Sequence, residues 1–344
     1  AAVSAYQAIG IRAFIGPLIQ DESLTAGIPS GGTKTQHEPY LRSTAATLML
    51  MEDVVNQFHQ PDAGISILLA PTGIQLCSDD LFQGCIDLSD RHNLCRHAHL
   101  LETKAQQLLA TEKYGCSAVE HLQQIGYLGS RTSLAHCVWL NDADIQILAE
   151  TQSTVVHNPL SNLRLGSGIA PVLKYRQAGV NVSFGCDGAA SNDSQDLLEA
   201  IKMGTILHNM TEPDYSHWIT PRQAVEMASL GGAVGLNVGE QLGSLTVGKK
   251  ADLVLYDLTS LSLLPRTDPI GLLVLGRPAQ AVDSVWVNGD RVVADGKVTT
   301  INVDDLRQQL FDRSQWHTRQ SQSSSPIEAH YRQVLRLSEP VGYS

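Results

Sequence analysis

At 344 residues, 43% hydrophobic and 17% charged, the chain can bury one large core or two modest ones. Its formal net charge of −11 argues against a nucleic-acid binder, which needs a basic face. No apolar run approaches the roughly 20 residues that cross a bilayer, and no charged-then-apolar leader opens the sequence, so a cytoplasmic protein is expected. Cysteines at 77, 85, 95, 116, 137 and 186 include no C-x-x-C pair, which speaks against a zinc ribbon or a disulfide framework.

Strand-forming runs alternate with helix-forming stretches, the pattern of parallel β/α units. In chain order the strands fall at Ile11–Gly16, Ile65–Ala70, Leu94–Leu100, Thr132–Val138, Thr154–Asn158 and Val180–Cys186. Each is followed by a helical stretch: Glu38–His59, Ser78–His92, Thr103–Ile125, Asn141–Glu150, Ile169–Ala178 and Asp193–Asn209. Ser78 and Asn141 suit helix N-caps, and Gly126 and Gly179 fall where helices stop. A closed barrel of this class needs eight such units. No G-x-G-x-x-G follows any strand, so an open nucleotide-binding sheet is disfavoured. The expectation is an α/β fold, a (β/α)8 barrel lacking its first two units, over residues 1–236.

Texture changes after Leu236. Gly243-Ser-Leu-Thr-Val-Gly248-Lys249-Lys250 imitates a phosphate loop, but Lys250 replaces the Mg²⁺-holding Ser or Thr and a strand follows in place of a helix. A glycine-flanked turn is the better reading. Ala251–Asp257, Val282–Asn288 and Arg291–Ala294 read as short strands, with Asn288-Gly289 as a hairpin turn. A small C-terminal β-sandwich is expected over 237–300. Residues 301–344 form a helical or polar tail, with Ala329–Leu337 able to make one helix. The stretch from Asp21 to His37, rich in Gly, Ser and Thr, reads as a loop closing over a pocket.

Chemistry-bearing residues recur at the C-terminal ends of the strands, where side chains of a parallel barrel converge on one mouth. Alternation puts His97 and His99 on one face, pointing inward, with His99 nearer the mouth. Neutral imidazole is the commonest zinc ligand. Glu102 lies three residues on, placed to move protons without ligating. His136 reads as a ligand or as a hydrogen-bond donor to a developing oxyanion. Asp187, followed by small Gly188-Ala189-Ala190, suits a ligand that also accepts a proton from water. His157, Ser191 and Asn192 are candidate substrate contacts, and 161–168 reads as a loop lining the same mouth. Cys137 and Cys186 should turn away and pack as buried, reduced side chains.

His97-x-His99-Leu-x-Glu102, Ala135-His136-Cys137-Val138, His157-Asn158-Pro159-x-Ser161-Asn162, Asp187-Gly-Ala-Ala-Ser191-Asn192 and Gly243-Ser-Leu-x-x-Gly248-Lys-x-Ala251-Asp252-Leu253 occur together. This set resembles the amidohydrolase superfamily, in the branch of cytosine-deaminase-like, S-adenosylhomocysteine/5-methylthioadenosine deaminase and chlorohydrolase enzymes. The likeness runs from about Ile11 to Val298. It implies one divalent metal, zinc ahead of iron, held by His99 and Asp187. It further implies that Glu102 protonates a ring nitrogen, that Asp187 takes a proton from the attacking water, and that His136 steadies the attacking oxygen. The implied reaction replaces an amino group of a purine, pterin, pyrimidine or triazine ring with hydroxyl.

The sequence departs from the family in two ways. The first-strand His-x-His, which supplies two further ligands, is not in these 344 residues. Pro71 is followed by Thr72 where adenosyl-type deaminases have His, and Gly16-Pro17-Leu18 lacks their Arg. Alternatives are therefore a chlorohydrolase or N-dealkylating hydrolase with the same site, and a non-catalytic truncated amidohydrolase. The expected partner is a small heterocyclic substrate, with no nucleic acid or membrane, and a homodimer is the candidate assembly.

Overall fold

The first strand of this chain is interrupted in the computed structural model, which describes residues 1–24, 26–29, 41–259, 261–265, 267–276 and 281–313. Its halves, β1 (Ala13–Ile15) and β2 (Leu18–Ile19), flank Gly16-Pro17, where proline has no N–H for a ladder. The neighbouring strand is split likewise into β3 (Ile65–Ile67) and β4 (Ala70–Pro71). The halves pair in parallel, Ala13 with Ile65 and Leu18 with Ala70. Then come β5 (Arg96–Leu100), β6 (Thr132–His136), β7 (Thr154–His157) and β8 (Val182–Phe184), parallel and adjacent in chain order. A Leu69–Arg96 bridge and the His99 N–H to Thr72 O bond of 3.0 Å join β4 to β5. Six strand positions thus follow one another as the alternation of the sequence implies. Leu100, Leu134, Val155 and Val182 turn outward into a core shared with Phe82, Tyr127 and Tyr175 of the helical layer.

Helix ends follow local chemistry. Ser78 and Asn141 cap their helices as expected, and Gly126 and Gly179 adopt φ of +77° and +80° just past helix ends. The single helix expected over Thr103–Ile125 is two, Lys104–Tyr114 and Ala118–Gln124. Gly115 stops the first at φ +71°, and a Ser117/Glu120 capping box starts the second. The stretch beginning at Asp193 becomes helical only at Leu197, after Asp196 caps it. Gly231 lets the following helix press onto β8; a Cβ there would lie 2.6 Å from Val182 O. Among the described residues no helix is long and apolar enough to cross a membrane.

Beyond the barrel strands, β9 (Leu253–Tyr256), β10 (Val282–Val287), β11 (Asp290–Ala294) and β12 (Lys297–Val298) form an antiparallel sheet ordered β12-β11-β10-β9. Asn288 and Gly289, at φ +53° and +91°, make the two-residue turn that their sequence specifies. Gly243 and Gly248 are also turn residues at positive φ, and a strand follows them, as read against a phosphate loop. Of the sandwich whose C-terminal half was expected, the described strands make one sheet. Val254 and Leu255 point to opposite faces yet are 47% and 53% exposed, so neither face lies under a second layer there. The helix expected at Ala329–Leu337 lies outside the described residues, as does most of the loop expected from Asp21 to His37. Helix Val303–Arg313 begins the tail.

Arg12, just before β1, holds Asp252, just before β9, through two bonds of 2.6 and 3.1 Å. Asp252 also accepts the Asn288 N–H at 2.7 Å, so one carboxylate ties the sheet to the barrel strands. The pair is mostly buried, with side chains 13% and 24% exposed. Arg12→Leu should therefore cost roughly 1–3 kcal/mol, leaving a mostly buried carboxylate with two donors fewer. A urea-midpoint comparison with wild type measures this, and an unchanged midpoint would show that the latch carries no stability.

Candidate active site

The parallel register sets Leu100 beside His136 and His157 beside Phe184, so the ends of β5 to β8 form one rim. Inside the strands lies a cavity of about 510 Å³, lined among others by Phe14, Ala70, His97, Ser133, Val156 and Ser183. His97 thus points inward, as alternation predicts. Its Nδ1 meets Ser133 Oγ at 2.8 Å, and burial, then His99 and His136, push its pKa down to about 4.

His99 is one step closer to the rim. Its Nδ1 lies 2.8 Å from the Thr72 carbonyl, which can only accept, so Nδ1 carries the proton and Nε2 keeps its lone pair. That is the arrangement in which a ligating histidine is held by a backbone oxygen behind it. The His99 ring stacks on His136, with centroids 5.6 Å apart and planes 21° apart.

His136 and Asp187 both have left-handed backbones, at φ +72° and +62°. Such conformations cost a bulky L-residue of order 1 kcal/mol, and they bend the chain sharply out of β6 and just beyond β8. Bonds around the first bend hold it: Cys137 N–H reaches Leu100 O at 2.9 Å, and the Tyr175 hydroxyl donates to Cys137 O. His136 is 1% exposed, and its Nδ1 lies 2.9 Å from Asn162 Oδ1. Its Nε2 lies 3.8 Å from Glu102 Oε2. Glu102 is held in turn: its Oε1 accepts from Ser167 Oγ at 3.2 Å, and its N–H donates to Gln106 Oε1 at 2.7 Å.

Asp187 accepts from Ser161 Oγ at 2.5 Å and from Gly188 N–H at 2.7 Å. Ser161 and Asn162 are neighbours on the short helix Pro159–Arg164. One helical turn therefore grips the side chains that end β6 and follow β8. Gly185 is needed beside it, because a Cβ there would sit 2.3 Å from Asn158 Oδ1.

The structure brings His99, Glu102 and His136 together, and it links Asp187 to them through Ser161-Asn162. An imidazole nitrogen with a free lone pair and a carboxylate oxygen are donor types that suit zinc. Among the described residues, no group of three or more His, Cys, Asp or Glu is arranged to hold an ion. His157, expected as a substrate contact, is fully buried here, packed against Phe184 and His208. Asn192 is half-buried and donates to Cys186 O at 2.8 Å, while Ser191 is half-buried in the short helix Ala189–Asn192. Cys137 is buried as expected, but Cys186 is half-exposed, because the chain leaves β8 two residues earlier. The residues that sequence reasoning missed are supports. Ser161 and Asn162 stand in a motif and, with Ser167, in a lining loop, but the sequence assigns them no partners, and Thr72 acts through a backbone oxygen that no side chain announces.

The sequence profile of the amidohydrolase family matches residues 2–292. The 5'-deoxyadenosine deaminase of Methanosarcina barkeri is 39% identical over 242 residues, 70% of this chain and 55% of that protein. The 5-methylthioadenosine/S-adenosylhomocysteine deaminase of Syntrophobacter fumaroxidans is 34% identical over 307 residues, 89% of this chain and 66% of that protein. The chain thus spans between half and two thirds of the length of these relatives. Among solved structures, a zinc-bound adenosine deaminase from Xanthomonas campestris superposes with a TM-score of 0.81 at 28% identity, covering 90% of this chain and 67% of the other. The architecture is accordingly that of a TIM-barrel-like hydrolase with an attached sheet domain.

Proposed function

Because the chain belongs to the amidohydrolase family, we propose that it works as a metal-dependent aminohydrolase, replacing an amino group of a nitrogen heterocycle with hydroxyl and releasing ammonia. The observation that carries this reading is the rim cluster. His99 Nε2 is free to ligate, Glu102 is held with its carboxylate over the same mouth, and His136 stands between them. His99 and Asp187 would hold the ion, zinc ahead of iron. The His-x-His ligands and the first two β/α units are assigned to polypeptide outside these 344 residues. The 67% coverage of the zinc-bound relative supports that assignment. The division into barrel (1–236), sheet (237–300) and tail belongs to the same reading.

When bound, such an ion supplies Lewis acidity that lowers the pKa of water from about 15.7 toward about 7. The remaining work falls to this chain's own groups. Glu102 delivers a proton to a ring nitrogen, drawing electrons from the amidine carbon, and takes one back from the product as the amine leaves. Asp187 takes the proton of the attacking water and passes it to the departing amine. Ser161 holds Asp187 in one orientation for both transfers. Ser191 and Asn192 border the mouth as candidate substrate contacts.

Thr72 narrows the substrate less than a His would. Its hydroxyl donates to Ile19 O at 3.0 Å and is buried, leaving no donor for a ligand. Purine, pterin, pyrimidine and triazine rings therefore stay in the set, and the deaminases at 34–39% identity put adenosine-type nucleosides first. A zinc-loaded protein carrying the complete barrel should release ammonia from one of these rings. Stoichiometric zinc with no turnover across all four classes would sink the deaminase reading, and release of chloride or alkylamine would move it to the sibling hydrolases. A second reading, a non-catalytic member, has in its favour that no ligand trio occurs among the described residues. Failure of the complete-barrel protein to bind zinc would favour it.

A further inference from the structure

The reading above leaves open how His136 meets the attacking oxygen, and one buried contact bears on it. A neutral imidazole carries one proton, and the partner of one nitrogen dictates what the other can do. His136 and Asn162 are each 1% exposed, so no bulk water competes for the bond between them. The 2.9 Å contact runs from His136 Nδ1 to the side-chain oxygen of Asn162, an atom that only accepts. The backbone of Asn162 is fixed by the helix that carries it: its N–H donates to Asn158 O at 3.0 Å, and Ser167 N–H donates to its backbone carbonyl at 2.8 Å, while the side-chain Nδ2 is buried without a partner.

We propose that Asn162 is a positioning residue that holds His136 as the Nδ1–H tautomer, making Nε2 a hydrogen-bond acceptor at the mouth. This rests on the hydrolase reading for its purpose, though not for its test. An acceptor at Nε2 receives an O–H of the attacking water and so turns an oxygen lone pair toward the substrate carbon. In this tautomer Nε2 carries no hydrogen to donate to the oxyanion, which sets aside one of the two roles that the sequence left open for His136. The bond from Ser161 to Asp187 comes from the adjacent residue, so the helix Pro159–Arg164 sets the direction of both groups that flank the water.

The test is the ¹⁵N spectrum of the histidine side chains in the 344-residue chain, without metal or substrate, with His136 assigned by comparison with His136→Asn. Wild type should show a pyrrole-like Nδ1 and a pyridine-like Nε2. Asn162→Ala should lose that signature, with the Nε2–H form in the majority. Asn162→Asp, which keeps an acceptor oxygen, should restore it. A wild-type ring protonated at Nε2 would mean that the Asn162 amide presents nitrogen, and it would overturn the proposal. Retention of Nδ1–H in Asn162→Ala would overturn it as well. Should the alanine variant fail to fold, the wild-type tautomer and the aspartate variant still decide. Because no turnover enters the measurement, failure of the deaminase assay leaves this result untouched.

Discussion

Glu102→Gln should lower kcat by roughly 10²–10⁴-fold while zinc stays bound, in protein carrying the complete barrel. Glutamine keeps the shape of the side chain and can still accept the Ser167 hydroxyl, now 3.2 Å from Glu102 Oε1. What it loses is the proton. The carboxylate is 18% exposed, 3.8 Å from His136 Nε2, and makes no bond that would consume its donor capacity once protonated. Its task in the proposed reaction is therefore transfer rather than ligation. His99→Asn should behave oppositely. The short amide cannot reach both Thr72 O and an ion, so zinc content and rate should fall together. Metal analysis beside steady-state kinetics separates the two outcomes. A Glu102→Gln enzyme that turned over within a few-fold of wild type would remove Glu102 from the chemistry.

Much of this arrangement was legible because strands impose period two and helix ends need particular residues. His97 and His99 could be placed on the inner face from alternation alone, and Ser78, Asn141, Gly126 and Gly179 marked helix limits through capping and left-handed backbone. The hairpin at Asn288-Gly289 followed from the φ values its turn demands. Features that depend on tertiary contact were not legible. Nothing about Thr72 as a residue type announces that its carbonyl anchors a histidine 27 positions away. Ser161 and Asn162 sat inside a recognised motif, yet which rim residue each would grip depends on how the strand ends converge. The burial of His157 was not legible for a related reason. The end of a strand is the right place for a functional side chain, but the helix carrying His208 covers it. Gly115, which ends the first of two helices where one was expected, is a local stop signal of the same kind as Gly126 and Gly179.

Lowering the pH from about 7 to about 5 should destabilise the fold by about 2 kcal/mol through His208 alone. The residue is 1% exposed and its Nε2 has no hydrogen-bond partner, and burial pushes its pKa from the usual 6.5 down to about 4. The sign follows from which state accepts the proton. Below pH 6.5 the unfolded chain protonates His208 while the folded chain does not. Stability is thus lost from about pH 6.5 down to about pH 4, where the folded ring begins to titrate too. His157 acts in the same direction: burial, then the nearby His208 and His136, hold it well below the ordinary value. Its two unpartnered nitrogens lie in a ring whose centroid is 5.4 Å from that of His208. His208→Leu removes one of these groups and one unpaired buried nitrogen. It should be close to wild type near pH 7 and more stable than wild type near pH 5. Urea titrations at the two pH values test this, and equal losses in both proteins would show that His208 is already protonated, or exposed, in the folded chain. The same experiment bears on the site, because Phe184 and His157 pack at the rim beside His136. If the buried pair charges on acidification, the rim should loosen before the outer helices do, and a hydrolase built on it should lose activity on the acid side through unfolding of its support.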